Sequence, residues 1–111
     1  VVSNINPLPV TFPPLESGWP ETTNTPSFVN LTASTSAVAL AANPNRLTFM
    51  IHNPLPTSLY MRKGANASDT PGTYDFVIEY GNVYQSRPKE FAGEISVYSL
   101  SAGTIATSES V

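Results

Sequence analysis

The 111-residue chain holds one histidine and no cysteine, so few of its side chains can do chemistry. His52 ends an apolar run and precedes Asn53-Pro54. Nucleophilic catalysis would need a hydroxyl and an orienting acid brought beside it. No nucleophile-elbow pattern is present, and a serine-rich chain supplies hydroxyl neighbours by chance. A structural or solvent-facing histidine is the better reading. The carboxylates Asp69, Asp75, Glu79, Glu90 and Glu94 could furnish a glycosidase pair in principle. None stands in an aromatic-lined context, and so small a domain has little room for a deep cleft. Asp69 with Asp75 lacks the regularly spaced oxygen ligands of a calcium loop. Without cysteine no thiolate metal site can form. The expectation is no catalytic residue, no metal ligand and no cofactor.

The five tyrosines, Tyr60, Tyr74, Tyr80, Tyr84 and Tyr98, allow two readings. Tyr74, Tyr80 and Tyr84 could form a platform that stacks sugars, as in a carbohydrate-binding module. Alternatively the rings fill half-buried sheet positions with their hydroxyls in water, which is the commoner use of tyrosine in strands. The sequons Asn30-Leu31-Thr32 and Asn66-Ala67-Ser68 are expected by chance in a chain this rich in Asn, Ser and Thr.

These residues must be positioned by a fold, and composition limits which. Charged residues make up 12% of the chain, about half the usual ~25%. Apolar residues at 41% are too many for a disordered chain. Thr, Ser, Asn, Pro and β-branched residues replace the missing charges, a mixture that suits strands and turns. With a net charge of −3 and no basic run, nothing favours nucleic-acid binding. No apolar run approaches the ~20 residues of a membrane span.

The chain divides into an arm, residues 1–26, and a domain, residues 27–111. The arm carries six prolines, Pro7, Pro9, Pro13, Pro14, Pro20 and Pro26, of the eleven in the chain. They preclude a helix or a central strand and leave extended chain as the default. Yet the arm is apolar. Ile5, Leu8, Val10, Phe12 and Trp19 are expected to anchor it on a partner, because ~26 extended residues reach ~80 Å, well beyond so small a domain.

The domain reads as short strands separated by turns: residues 28–33, 37–42, 47–53, 58–63, 74–80 and 83–85. A hairpin of residues 91–100 and 104–107 follows, turning across Ser101-Ala102-Gly103. Period-two placement puts Leu47, Phe49, Ile51, Leu59, Phe76, Ile78, Ile95 and Val97 in the core, with Tyr74 on the face of Phe76 and Ile78. The fold class expected is all-β: a small antiparallel β-sandwich or barrel, jelly-roll-like, with an extended proline-rich N-terminal arm.

Several segments resemble a recurring β-domain of tailed-bacteriophage virion accessory proteins. They are Ala42-Asn43-Pro44-Asn45-Arg46, Leu47-Thr48-Phe49-Met50-Ile51-His52-Asn53, Leu59-Tyr60-Met61-Arg62-Lys63-Gly64-Ala65, Tyr74-Asp75-Phe76-Val77-Ile78 and Phe91-Ala92-Gly93-Glu94-Ile95. Asn6-Pro7-Leu8-Pro9-Val10 matches a segment often found upstream of that domain. The family often carries a Trp near the position of Tyr98, which is missing here. The resemblance implies a virion structural protein, foremost a capsid decoration (cement) protein bridging major capsid subunits at the head surface. It also implies a homotrimer, made in the cytoplasm of a bacterial host. A tail, baseplate or head-fibre component is the alternative within the class, and a carbohydrate-binding module the alternative outside it.

Overall fold

Runs of alternating apolar and polar residues become strands. In this computed structural model, which describes residues 23–111, eight strands form: β1 (Asn24–Leu31), β2 (Ala37–Leu40), β3 (Thr48–His52), β4 (Leu59–Lys63), β5 (Phe76–Ile78), β6 (Val83–Gln85), β7 (Ile95–Ser99) and β8 (Gly103–Ser110). Among the described residues there is no helix. The strands make two four-stranded antiparallel sheets, in the order β1-β8-β3-β6 (sheet A) and β2-β7-β4-β5 (sheet B).

The pairing is nested. β1 pairs with β8, β2 with β7, β3 with β6 and β4 with β5. β8 also joins β3, and β7 joins β4, which completes each sheet. One apolar cluster lies between the sheets. Sheet A supplies Leu31, Phe49, Ile51 and Ile105, and sheet B supplies Ala39, Leu40, Leu59, Met61, Ile78, Ile95 and Val97. Leu55, from the loop after β3, closes one end. Each large side chain buried here stabilises the fold by ~1.5–3 kcal/mol.

Three expectations need correction. Residues 91–100 and 104–107 do not form a hairpin: β7 lies in sheet B and β8 in sheet A, so the turn between them carries the chain from one sheet to the other. Gly103 allows the crossing, since a Cβ there would come within 2.4 Å of Leu55 Cδ2. Phe76 is 45% exposed rather than buried. Its Cα partner is the fully buried Met61, so it points to the core side, but β5 is an edge strand and the core ends beside it. Leu47 is only half-buried, just ahead of β3.

β1 takes in Asn24 and Pro26, upstream of the expected strand start. Thr23 and Val111 exchange both backbone bonds, at 3.1 and 3.0 Å, so the odd-numbered residues of β1 bond toward β8 and the even-numbered ones face the free edge. Pro26, which has no N–H to donate, therefore sits at an outward position of an edge strand, where a sheet tolerates it. It also blunts the one long edge. The other edge strands are short: β6 and β5 have 3 residues each and β2 has 4.

Candidate functional site

His52 ends β3, half-buried on the outer face of sheet A, because Phe49 and Ile51 take the inner face. Directly opposite it stand Ala106 on β8 and Val83 on β6. Neither can orient an imidazole or act as a nucleophile. The acids are spread among structural duties. Asp75 Oδ2 accepts from the Lys63 backbone N–H at 2.6 Å, and Glu79 accepts from the Ser58 hydroxyl at 2.5 Å. Asp69 is exposed on the loop between β4 and β5. Among the described residues no three His, Asp or Glu side chains gather in a metal-binding group.

The most perturbed ionisable pair is Tyr84 and Glu90. Tyr84 lies against Phe49, with ring centroids 5.6 Å apart, and Phe76 meets it edge-on at 4.8 Å. Its hydroxyl donates to Glu90 Oε2, which also pairs with Lys63 Nζ at 2.9 Å. The Arg87 backbone N–H adds a bond to Glu90 Oε1 at 3.0 Å. Burial alone would raise the Glu90 carboxyl, but the Tyr84 hydroxyl, the Arg87 N–H and the Lys63 ammonium outweigh it and hold it at about 2. Burial, reinforced by Glu90, pushes the Tyr84 phenol up to about 12. A carboxylate so low is always ionised near neutrality and so cannot serve as an acid. The arrangement ties the 86–90 loop to Tyr84 of β6 in sheet A and to Lys63 of β4 in sheet B.

The tyrosines do not form the platform that Tyr74, Tyr80 and Tyr84 would make. Tyr84 is turned inward against Phe49, while Tyr80 is 66% exposed in a turn. Tyr74 packs instead against Tyr60 at 5.1 Å, and Tyr60 against its cross-strand partner Tyr98 at 6.3 Å. Since Leu59, Met61 and Val97 face the core, Tyr60 and Tyr98 lie on the outer face of sheet B. Their rings meet at 63° and 64°, an edge-to-face packing in which neighbouring rings are not coplanar, unlike the side-by-side rings of a flat stacking platform. Tyr74 therefore does not share the face of Phe76 and Ile78.

A hollow of about 420 Å³ is lined by Pro44, Asn45, Arg46, Leu47, Lys89 and Ala92. Its one guanidinium is not free to meet a ligand. Arg46 is bonded to Glu109 Oε1 at 2.7 Å and to the carbonyls of Ala41, Phe91 and Gly93 at 2.5, 3.2 and 2.9 Å.

The outer face of sheet A is the least expected surface. Two rows run across all four strands: Phe28, Ala106, His52 and Val83, and Pro26, Ser108, Met50 and Gln85. Asn30 with Thr104, and Asn24 and Thr48 on either side of Ser110, complete it. It carries no Asp, Glu, Lys or Arg, although eleven such residues lie elsewhere among the described ones. Phe28 is 76% exposed and Val83 48%. The signal was present in the sequence as uncharged alternate positions in four strands. It became readable only once the strand order brought them together.

Ile5, Leu8, Val10, Phe12 and Trp19, the expected anchors, lie outside the described residues. No protein-family model, no curated protein and no solved structure matches the chain.

Proposed function

We propose that this chain is a non-catalytic virion structural protein, a capsid decoration protein whose β-domain sits on the head and whose arm binds across neighbouring major capsid subunits. The observation that carries the reading is the nested strand order β1-β8-β3-β6 over β2-β7-β4-β5, filled by side chains rather than hollow. That order supports the jelly-roll reading, an eight-stranded winding used by viral capsid and lectin domains. The segments that resemble phage accessory β-domains favour the capsid use. The edge-to-face tyrosines speak against the lectin-like use.

Physical reasoning supports an assembly role. A domain of ~85 residues buries only somewhat over ~60% of its unfolded surface and gains from added contacts. A stiff, proline-rich arm loses little chain entropy when it docks. The three-fold arrangement rests on the resemblance alone.

The test is co-sedimentation of the full chain with heads of a candidate phage, followed by heating of the decorated heads. Binding with raised heat resistance is expected, and Phe12→Ala and Trp19→Ala should each weaken occupancy without moving the melting temperature of the free protein. Failure to bind heads while binding tails or polysaccharide would transfer the protein to one of the rival classes.

A further inference from the structure

The uncharged outer face of sheet A has a relief as well as a composition. β8 contributes only the small residues Thr104, Ala106, Ser108 and Ser110 to it, with Phe28 and Pro26 of β1 on one flank and His52 and Met50 of β3 on the other. The result is a shallow trough along β8 with a 76%-exposed phenyl ring standing beside it. Knob and hole lie on the same patch, one strand spacing (~4.8 Å) apart.

We propose that this face binds a second copy of the chain, sheet A against sheet A about a two-fold axis running between β1 and β8. Phe28 of each copy enters the trough over Ala106 and Ser108 of the other. A two-fold contact requires a self-complementary patch, and the knob beside its own matching hole is one. Charge supports the same occupant. The chain has a net charge of −3, and this face, which presents no charge, brings no like charges of two copies into direct contact. Edge-to-edge pairing through β1 is the poorer route, because Pro26 offers no donor to the strand opposite. The contact is face to face, at the ~10 Å spacing of packed sheets. It joins copies in pairs and is separate from any three-fold arrangement.

Strand spacing and length give a face on the order of 300–400 Å² per copy, about half the ~800 Å² per partner of a stable complex. The pairing is therefore reversible and appears as the chain is concentrated.

The test uses the full chain. Sedimentation from micromolar to millimolar concentration should show the mass rising toward a dimer. Phe28→Ser should weaken that association about tenfold or more. Ala106→Glu, which points outward and places two carboxylates against each other, should abolish it with unchanged melting. Because the chain has no cysteine, a mixture of Phe28→Cys and Ala106→Cys chains should oxidise mainly to the mixed disulfide dimer. A monomer at millimolar concentration, wild-type association of Ala106→Glu, or equal yields of mixed and like disulfides would each overturn the proposal. So would a photoreactive group at position 28 that labels residues 1–22 of its own chain, which would assign the face to that segment.

Discussion

Arg46 and Glu109 form an ion pair at 2.7 Å in which the arginine side chain is 1% exposed, and the pair fixes the turn before β3 to the last strand of sheet A. Asn43 adds a bond to the same carboxylate at 3.1 Å. Three further guanidinium bonds go to the carbonyls of Ala41, Phe91 and Gly93, which flank β2 and β7 of sheet B. One side chain thus ties both sheets at the same end.

Removing that cation leaves three carbonyls without their donors and a carboxylate held only by Asn43. Arg46→Ala should destabilise by about 3–5 kcal/mol. Arg46→Lys should recover only part of this, because an ammonium cannot reproduce the planar fork. Chemical denaturation of the two variants checks the order.

Phe49 and Phe76 should separate sharply. Phe49 is 1% exposed and stacked on Tyr84. Phe49→Ala should cost about 3–5 kcal/mol. Phe76→Ala, at the open edge of sheet B, should cost about 1 kcal/mol, mainly the edge-on contact with Tyr84. Equal losses in the two unfolding curves would place Phe76 inside the core.

Asn53 is fully buried, and its side chain bonds three backbone groups: it donates to the carbonyls of Thr57 and Ile78 at 2.9 and 2.7 Å and accepts from the Leu55 N–H at 2.9 Å. Asn53→Asp turns two donors into acceptors facing carbonyls and should cost about 3 kcal/mol or more. The loss should shrink as acidification protonates the new carboxyl, measured as a melting temperature that converges on wild type.

Glu90 and Tyr84 should give the stability two pH limits. The folded-state value of Glu90 lies below its ordinary 4.5, at about 2, so its contribution is present above that ordinary value and is lost as pH falls through the interval. The folded-state value of Tyr84 lies above its ordinary 10.0, at about 12, so its contribution is present below 10 and is lost as pH rises toward 12. Glu90→Gln should flatten the acid limb of melting temperature against pH, and Tyr84→Phe the alkaline limb. Unchanged limbs would mean that the pair does not couple to folding.

Much of the fold was legible because inner-face residues of central strands alternate strictly. Phe49 and Ile51 on β3, Leu59 on β4, and Ile95 and Val97 on β7 all reach the core as their spacing predicts. What the sequence hid is non-local. Period two assigns Phe76 the correct side but cannot say that β5 is an edge. The turn at residues 100–102 looks like a hairpin locally, and only the partners of β8, namely β1 and β3, make it a crossing between sheets. Leu55 and Arg46 are buried from outside any strand, where no period applies. The face around Phe28 and Ala106 was invisible for the same reason, since its rows join residues of four distant segments.

Nested pairing also dictates when the domain can exist during synthesis. β4 and β5 are neighbours in the chain, but β3 waits for β6, β2 for β7, and β1 for residues 103–110. Each outer pair encloses a longer loop, and contacts of such sequence separation form slowly. β1 and β3 therefore leave the ribosome with apolar inner faces and no neighbour between them. Both remain open until β8 arrives to fill the gap. In that interval a β8 from another nascent chain fits the gap equally well. Chains translated close together are thus exposed to strand exchange, and the rate at which the last described strand is delivered governs the yield of correctly closed domains.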